Sequence, residues 1–259
     1  MTDPDWNRET APFVGSAIGG TWRRYCDLLH ADLLSEWLPG PMDGRVLKTD
    51  LFDEACGDGL APALSRVAQH IHGIDVATDV VDAAAGRHPL ISASVDDVRS
   101  MKFADATFQL VVSNSTLDHF GSVSEIDISL GEIHRVTAPG GLLVLTLDNI
   151  ANPVIAARSI LPKGLLRATG LVPYHVGKSL GPRGTVKHVT SAGFDVVEVR
   201  SFMHVPRVFA VRGCARLDAT SDDSVIMSVL RRMIRWERLG RWPTRWMTAH
   251  YVAVLAVKR

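Results

Sequence analysis

Two stretches of the chain hold residue types that could do chemistry. The first is Arg45–Gly59, RVLKTDLFDEACGDG, where acidic side chains crowd a Cys56-Gly57-Asp58-Gly59 turn. Glycines in a turn let the backbone approach a ligand with no Cβ in the way. The second is Leu117-Asp118-His119-Phe120, an imidazole next to a carboxylate. Histidine exchanges a proton near neutral pH, so His119 is the leading general-base candidate and Asp118 the second. The plain alternatives are packing or turn capping for His119, and helix capping for Asp118. Asp148-Asn149 adds a third polar pair, with hard oxygen atoms of the kind that suit Mg²⁺.

These groups need elements to hold them. Arg45 to Asp53 reads as a strand that feeds the glycine turn, and Leu60 to His70 as the helix beyond it. Lys48 and Asp50 fall on one face of that strand and could pair, and its early part reads as exposed or covered. Further strands are predicted at 70–75, 90–95, 108–113 and 142–147. Helices are predicted at 78–85, with Thr78 as N-cap, and at 125–136, stopped by Pro139-Gly140-Gly141. Such alternation argues for a parallel sheet with helices on both faces and ligands at the carboxyl ends of the strands.

The flanks read differently. Residues 1–20 form a polar, mobile lead, and 21–38 an amphipathic helix with Trp22, Tyr25, Leu29, Leu33 and Trp37 at helical spacing. Residues 148–184 carry four prolines and read as an inserted cap of short helices and loops. A helix at 185–192 with Gly193 as C-cap, a strand at 194–200, a helix at 224–239 and a strand at 250–257 close the chain. The division is one domain of 1–259: lead and lid 1–40, core 41–147, cap 148–184, remainder of the sheet 185–259.

Composition narrows the function. Lys+Arg and Asp+Glu are 28 each, so the net charge of zero gives no support for a nucleic-acid partner. No apolar run approaches the ~20 residues of a membrane span. The N-terminus is too polar and acidic for a signal peptide, and three scattered cysteines lack a CxxC pair. The expectation is a cytoplasmic protein, monomer or homodimer, with no membrane, nucleic-acid or metal partner. Arg231, Arg232, Arg235, Arg238 and Arg241, with Trp236, Trp242 and Trp246, could suggest RNA or membrane. Net neutrality and aromatic spacing suited to core packing favour a solvated helix face.

Five segments in order then resemble the class I S-adenosylmethionine-dependent methyltransferases, over roughly residues 45–147. They are Asp53-Glu54-Ala55-Cys56-Gly57-Asp58-Gly59; Asp75 at the end of HGID; Asp97-Val98-Arg99-Ser100-Met101-Lys102-Phe103; Phe108–Phe120; and Glu132–Gly141, EIHRVTAPGG. Ala55 stands where the family has its first glycine, and Gln109 where it often has Asp. A dinucleotide fingerprint would need glycine at 62, where Pro62 sits. The resemblance implies a Rossmann-like α/β fold whose seven-stranded, mostly parallel sheet ends in an antiparallel strand. It implies S-adenosyl-L-methionine as cofactor, bound by Asp53, Ala55, Gly57, Gly59, Asp75, Val76, Asp97, Val98 and Asn114.

The resemblance also implies methyl transfer, and the lack of a basic surface signal, the inserted cap and the compact chain point to an O or N atom of a small-molecule acceptor. His119 would serve as base, with Asp118 beside it. Trp22, Tyr25, Asn149, Tyr174, His175 and His204 are the acceptor-side candidates. Catechol-type relatives hold a metal with an Asp-Asn pair after the fifth strand, but Asp118 lies too far beyond the fourth strand to complete their set, and the expectation is no metal. The competing readings are an RNA or protein methyltransferase and a non-catalytic binding member of the fold.

Overall fold

The computed structural model describes residues 5–14, 20–38, 40–161 and 177–259. Its strands are β1 (Arg45–Lys48), β2 (His70–Asp75), β3 (Ile91–Val95), β4 (Phe108–Asn114), β5 (Thr137–Asp148), β6 (Phe194–Phe202) and β7 (Tyr251–Lys258). They form one sheet in the order β3-β2-β1-β4-β5-β7-β6. The first five are parallel, and β7 runs antiparallel between β5 and β6. The order reverses between β1 and β4, so a crevice opens there at the carboxyl ends of the strands.

Neighbouring strand residues face opposite sides, and the two cores follow from that. Val46, Leu110, Val112 and Val144 pack with Tyr25, Leu29 and Leu33 of helix α2 (Gly20–Trp37). Leu47, Val111, Leu143 and Leu145 pack with Ile126, Leu130 and Ile133 of the helix Val123–Val136. That second helix begins with a capping box between Ser122 and Glu125. Such a box satisfies two otherwise orphaned amides, and losing the cap costs about 1 kcal/mol.

The largest departure from the sequence reading is in the opening stretch. The strand stops at Lys48, and Phe52–Cys56 is a short helix, α3, before the helix Ala61–Val67. Asp53 and Ala55 therefore sit on a helix and not at a strand end. The cause is Lys48, which is fully buried and needs carboxylates. Coiling at 52–56 brings Glu54 back to it, 2.8 Å from Nζ to Oε2.

Other corrections are smaller. The lead contains a helix at Trp6–Thr10, capped by Asp5. Ala77, not Thr78, is the N-cap residue of the helix Thr78–Arg87. Thr137–Gly141 belongs to β5. The cap begins with the helix Pro153–Ile160, and the next helix among the described residues, Pro182–Ser191, starts three residues earlier than expected, with proline in its first turn. Gly193 follows it at φ +102°, as the C-cap reading requires. A helix at Arg207–Thr220 has Cys214 as its single buried residue, so it left no amphipathic pattern to read. The next helix ends at Ile234 and passes into a 3-10 turn, Arg235–Arg241, and a short helix, Arg245–Thr248.

Candidate active site

Around the end of β1 the charges are mostly negative. Lys48 Nζ lies 3.3 Å from Asp50 Oδ1 and donates to the Asp50 carbonyl at 2.9 Å. Burial alone would lower the Lys48 pKa, but Asp50, Glu54 and Asp53 outweigh it and hold the ammonium charged. Glu54 Oε1 accepts the Leu60 amide at 2.8 Å. It also explains Gly59, whose φ is +53° and whose Cβ would fall 2.5 Å from that oxygen. Gly57 is different: the nearest atom to a Cβ there is 3.8 Å away, so the protein itself leaves that side open.

Asp75 ends β2 as expected. Its two oxygens accept the Leu51 and Ala77 amides at 3.0 and 2.9 Å. Burial pushes its pKa up to about 6. Each oxygen keeps a lone pair, so a vicinal diol can still be bound. At the end of β4, Asn114 Nδ2 is 3.4 Å from Asp53 Oδ2, while Asn114 Oδ1 is buried without a partner. From the lid side, Asp27 of α2 is pushed up to about 8 by burial, then by Asp53 and Glu54. Carboxylates and an orphan acceptor beside an open glycine fit a cation that donates hydrogen bonds.

Of the remaining expected cofactor residues, Val76 is exposed next to Asp75, and Ala55 and Val98 are buried in the core. Asp97 is taken by Arg99, whose Nη2 lies 2.7 Å away. The neighbouring Asp96 accepts the Asp97 and Lys102 amides at 3.0 and 2.9 Å and so braces the turn.

A second polar group gathers at the ends of β4 and β5. Asp118 and His119 lie on a 3-10 turn, Leu117–His119. Asp118 points inward, and its Oδ2 accepts Ser115 Oγ and the Asp148 amide at 3.0 and 3.2 Å. Burial, then Asp148, pushes its pKa up to about 6. Ser115 is held at φ +54°, a left-handed conformation few non-glycine residues adopt. Asp148 pairs with Arg158 of the cap helix. His250 Nε2 lies 3.2 Å from Asp148 Oδ1 and 2.7 Å from Arg207 Nη1. Burial holds that ring neutral, and the shorter contact assigns Nε2 as acceptor from Arg207. Asp118 Oδ1, Asp148 Oδ1 and Arg158 Nε are left buried without hydrogen-bond partners.

His119 faces the other way. Its half-buried ring meets the edge of Trp6 at 5.3 Å. The later part of the cap stretch lies over this turn, the Gly177 and Lys178 amides donating to the Asp118 and Phe120 carbonyls at 2.9 and 2.8 Å. A Cβ on Gly177 would lie 2.1 Å from the Phe120 oxygen, so only glycine allows the approach.

The acceptor-side expectations divide. Trp22 is half-buried, with the Arg207 guanidinium 5.8 Å from its ring. Tyr25 is a core residue, its hydroxyl 3.5 Å from Glu237. Asn149 is fully buried and braces its own chain: Nδ2 donates to the Trp246 and Ala249 carbonyls and Oδ1 accepts the Ala151 amide. His204 is buried between Thr248 Oγ1 and Ser201 Oγ, at 2.8 and 3.2 Å. Those three side chains are engaged by partners within the protein. Tyr174 and His175 lie outside the described residues. With Asp118, Asp148 and Asn149 committed in this way, no cluster of metal-ligating side chains forms among the described residues. Sequence reasoning missed Lys48–Glu54 as a pair, and also Asp27, Arg158, His250, Arg207 and Gly177. A buried-strand lysine was the one signal visible for any of them.

The family described as "Methyltransferase domain" matches residues 52–145. Over that stretch the chain is similar to the class I S-adenosylmethionine-dependent methyltransferases, and its sheet order is compatible with theirs. A curated relative, malonyl-(acyl-carrier protein) O-methyltransferase of Erwinia billingiae (strain Eb661), is 28% identical over 97 residues, 37% of this chain and 38% of the relative. The chain thus matches well under half the length of that relative. Among solved structures, phosphoethanolamine N-methyltransferase 2 of Haemonchus contortus in complex with S-adenosyl-L-methionine aligns at TM-score 0.56 and 18% identity, covering 92% of this chain and 52% of that one. A (4+2)-cyclase aligns at TM-score 0.55 and 19% identity, covering 88% of this chain and 79% of that one. The cofactor of the class is S-adenosylmethionine, a cation bearing an ammonium, which is what the open side of Gly57 and the Asp53–Asn114 pair suit.

Proposed function

We propose that the protein transfers a methyl group from S-adenosylmethionine to an oxygen or nitrogen of a small molecule, in a reducing, cytoplasmic setting. The observation that carries this reading is the electronegative crevice at the β1/β4 reversal, with Asn114 Oδ1 buried and unpartnered beside Asp53. Asp53 and Asn114 bind the ammonium of the cofactor, Asp75 binds the ribose hydroxyls, and Gly57 lets the ligand approach the backbone. When bound, the cofactor supplies an electrophilic methyl on a sulfonium. His119, one turn beyond β4, takes the proton released by the acceptor. Trp6 from the lead and residues 177–178 from the cap stretch close around that turn, which suits a compact acceptor. Alignment of acceptor and methyl by these walls supplies most of the rate. Three free cysteines fit a reducing compartment.

Calorimetry with S-adenosylhomocysteine tests the cofactor half. Asp53→Ala is expected to weaken binding by about tenfold, the loss of one charged hydrogen bond. No binding by the parent protein, or equal binding by the variant, would overturn the assignment. Labelled methyl transfer into a metabolite pool tests the acceptor half. A cofactor-binding protein that labels only macromolecules would sink the small-molecule reading. The cyclase of like fold makes a third outcome worth measuring, a product formed from the acceptor with no label in it.

A further inference from the structure

The arginine-rich segment Arg231–Met247 stands apart from the rest of the chain. It contains six arginines and one acid, 6 − 1 = +5, in a protein of net charge zero. All six arginines are exposed. Its one acid, Glu237, turns inward and accepts the Met203 and His204 amides at 3.1 and 2.8 Å. Among the described residues none of the six has an ion-pair partner, and Arg245 lies over the Trp246 ring. The aromatic spacing that suggested core packing is misleading, because Trp236 and Trp242 are 45% and 61% exposed, and Met247 is 58% exposed. Solvation accounts for arginines but not for two uncovered tryptophans among them.

We propose that this face docks the protein on an anionic phospholipid surface. A bilayer interface takes both residue types together. Tryptophan settles at headgroup level, and arginine lays its stem on apolar ground while its guanidinium binds phosphate in bidentate fashion. Beside the face lies a cleft of about 580 Å³ that sets Phe202 and Ile234 next to Arg235, Arg238 and Arg241, and that Asp32, Glu36 and Glu237 also line. Elements here are short turns and helices, and no described helix is long and apolar enough to cross a membrane, so the contact is peripheral. An acidic protein would satisfy the charges, but arginines separate the apolar side chains and leave no continuous interface core for it to bury. The docking stands independently of methyl transfer.

Vesicle flotation tests it with the whole protein. Phosphatidylcholine vesicles are compared with vesicles also containing about a third phosphatidylglycerol, at low and at high salt. Co-flotation with the anionic vesicles alone, reversed by salt, is the expected result. The Arg235→Gln, Arg238→Gln, Arg241→Gln triple variant is expected to lose on the order of a hundredfold in partitioning, and Trp242→Ala several-fold. A thermal melt matching the parent's confirms that each variant is folded. Equal flotation with both vesicle types, an unchanged triple variant, or retention by RNA or an acidic polypeptide with no flotation would each overturn the proposal.

Discussion

Among the described residues, two buried charge clusters lie at the same sheet edge, and they are built to opposite ends. At β1, Lys48 and Glu54 are wholly inside, and the pair directs backbone: it coils α3, anchors the Leu60 amide and demands glycine at 59. At β5 and β7, Asp118, Asp148, Arg158, His250 and Arg207 form a chain that leaves two carboxylate oxygens and a guanidinium nitrogen unmatched. Unpartnered buried polar atoms cost energy, and they persist where something other than stability is being served. On the proposed reading, the first cluster is scaffold for the cofactor crevice and the second borders the chemistry.

Breaking the first cluster should therefore cost stability above all. Lys48→Met leaves Glu54 buried with no counter-charge, and the expected loss is about 3–5 kcal/mol in denaturant unfolding. Adding Glu54→Gln should recover more than half of it, because the stranded charge is then gone. A single variant that loses less than about 1 kcal/mol would show that this pair is not a scaffold.

Beside the second cluster, changes should reach rate before stability. His119→Gln is expected to lower kcat about a hundredfold, with binding of S-adenosylhomocysteine and thermal stability little changed. An unaltered kcat would leave His119 as a packing partner of Trp6 and assign the proton to water.

The smallest effect should come from Asp118, and it has the opposite sign. Its folded pKa, about 6, lies above its ordinary value of 3.8, so the stability this group contributes is present at low pH and is lost as pH rises through about 6. Asp118→Asn keeps an acceptor for Ser115 and the Asp148 amide and removes the repulsion. It should be more stable than the parent by about 1–2 kcal/mol above pH 7, with the difference vanishing below about pH 4. A difference independent of pH would exclude titration of Asp118 as its cause.

How much was legible depended on how local each cause was. Strands β2 and β4 and the helix ending at Val136 were read almost to the residue, because β-branched runs, helical spacing and the Pro-Gly-Gly stop act within a few positions. Gly193 was legible for the same reason. The end of β1 was not, because LFDEAC has the apolar content of a strand, and only the need to neutralise a buried lysine makes it coil. Asn149, Tyr25 and His204 looked like pocket residues by position along the chain, and their long-range partners lie 44 to 212 residues away.

From the sequence alone came the class of fold and the edge of the sheet where a ligand is expected, since these follow from periodicity and from glycine and proline placement, while the five-segment cofactor signature came by resemblance to the methyltransferases. Tertiary structure alone decided which acids are free to meet a ligand, which are held by a lysine, an arginine or an amide, and which aromatic side chains face water. Burial and pairing are properties of neighbours brought together from distant parts of the chain, and no local pattern encodes them.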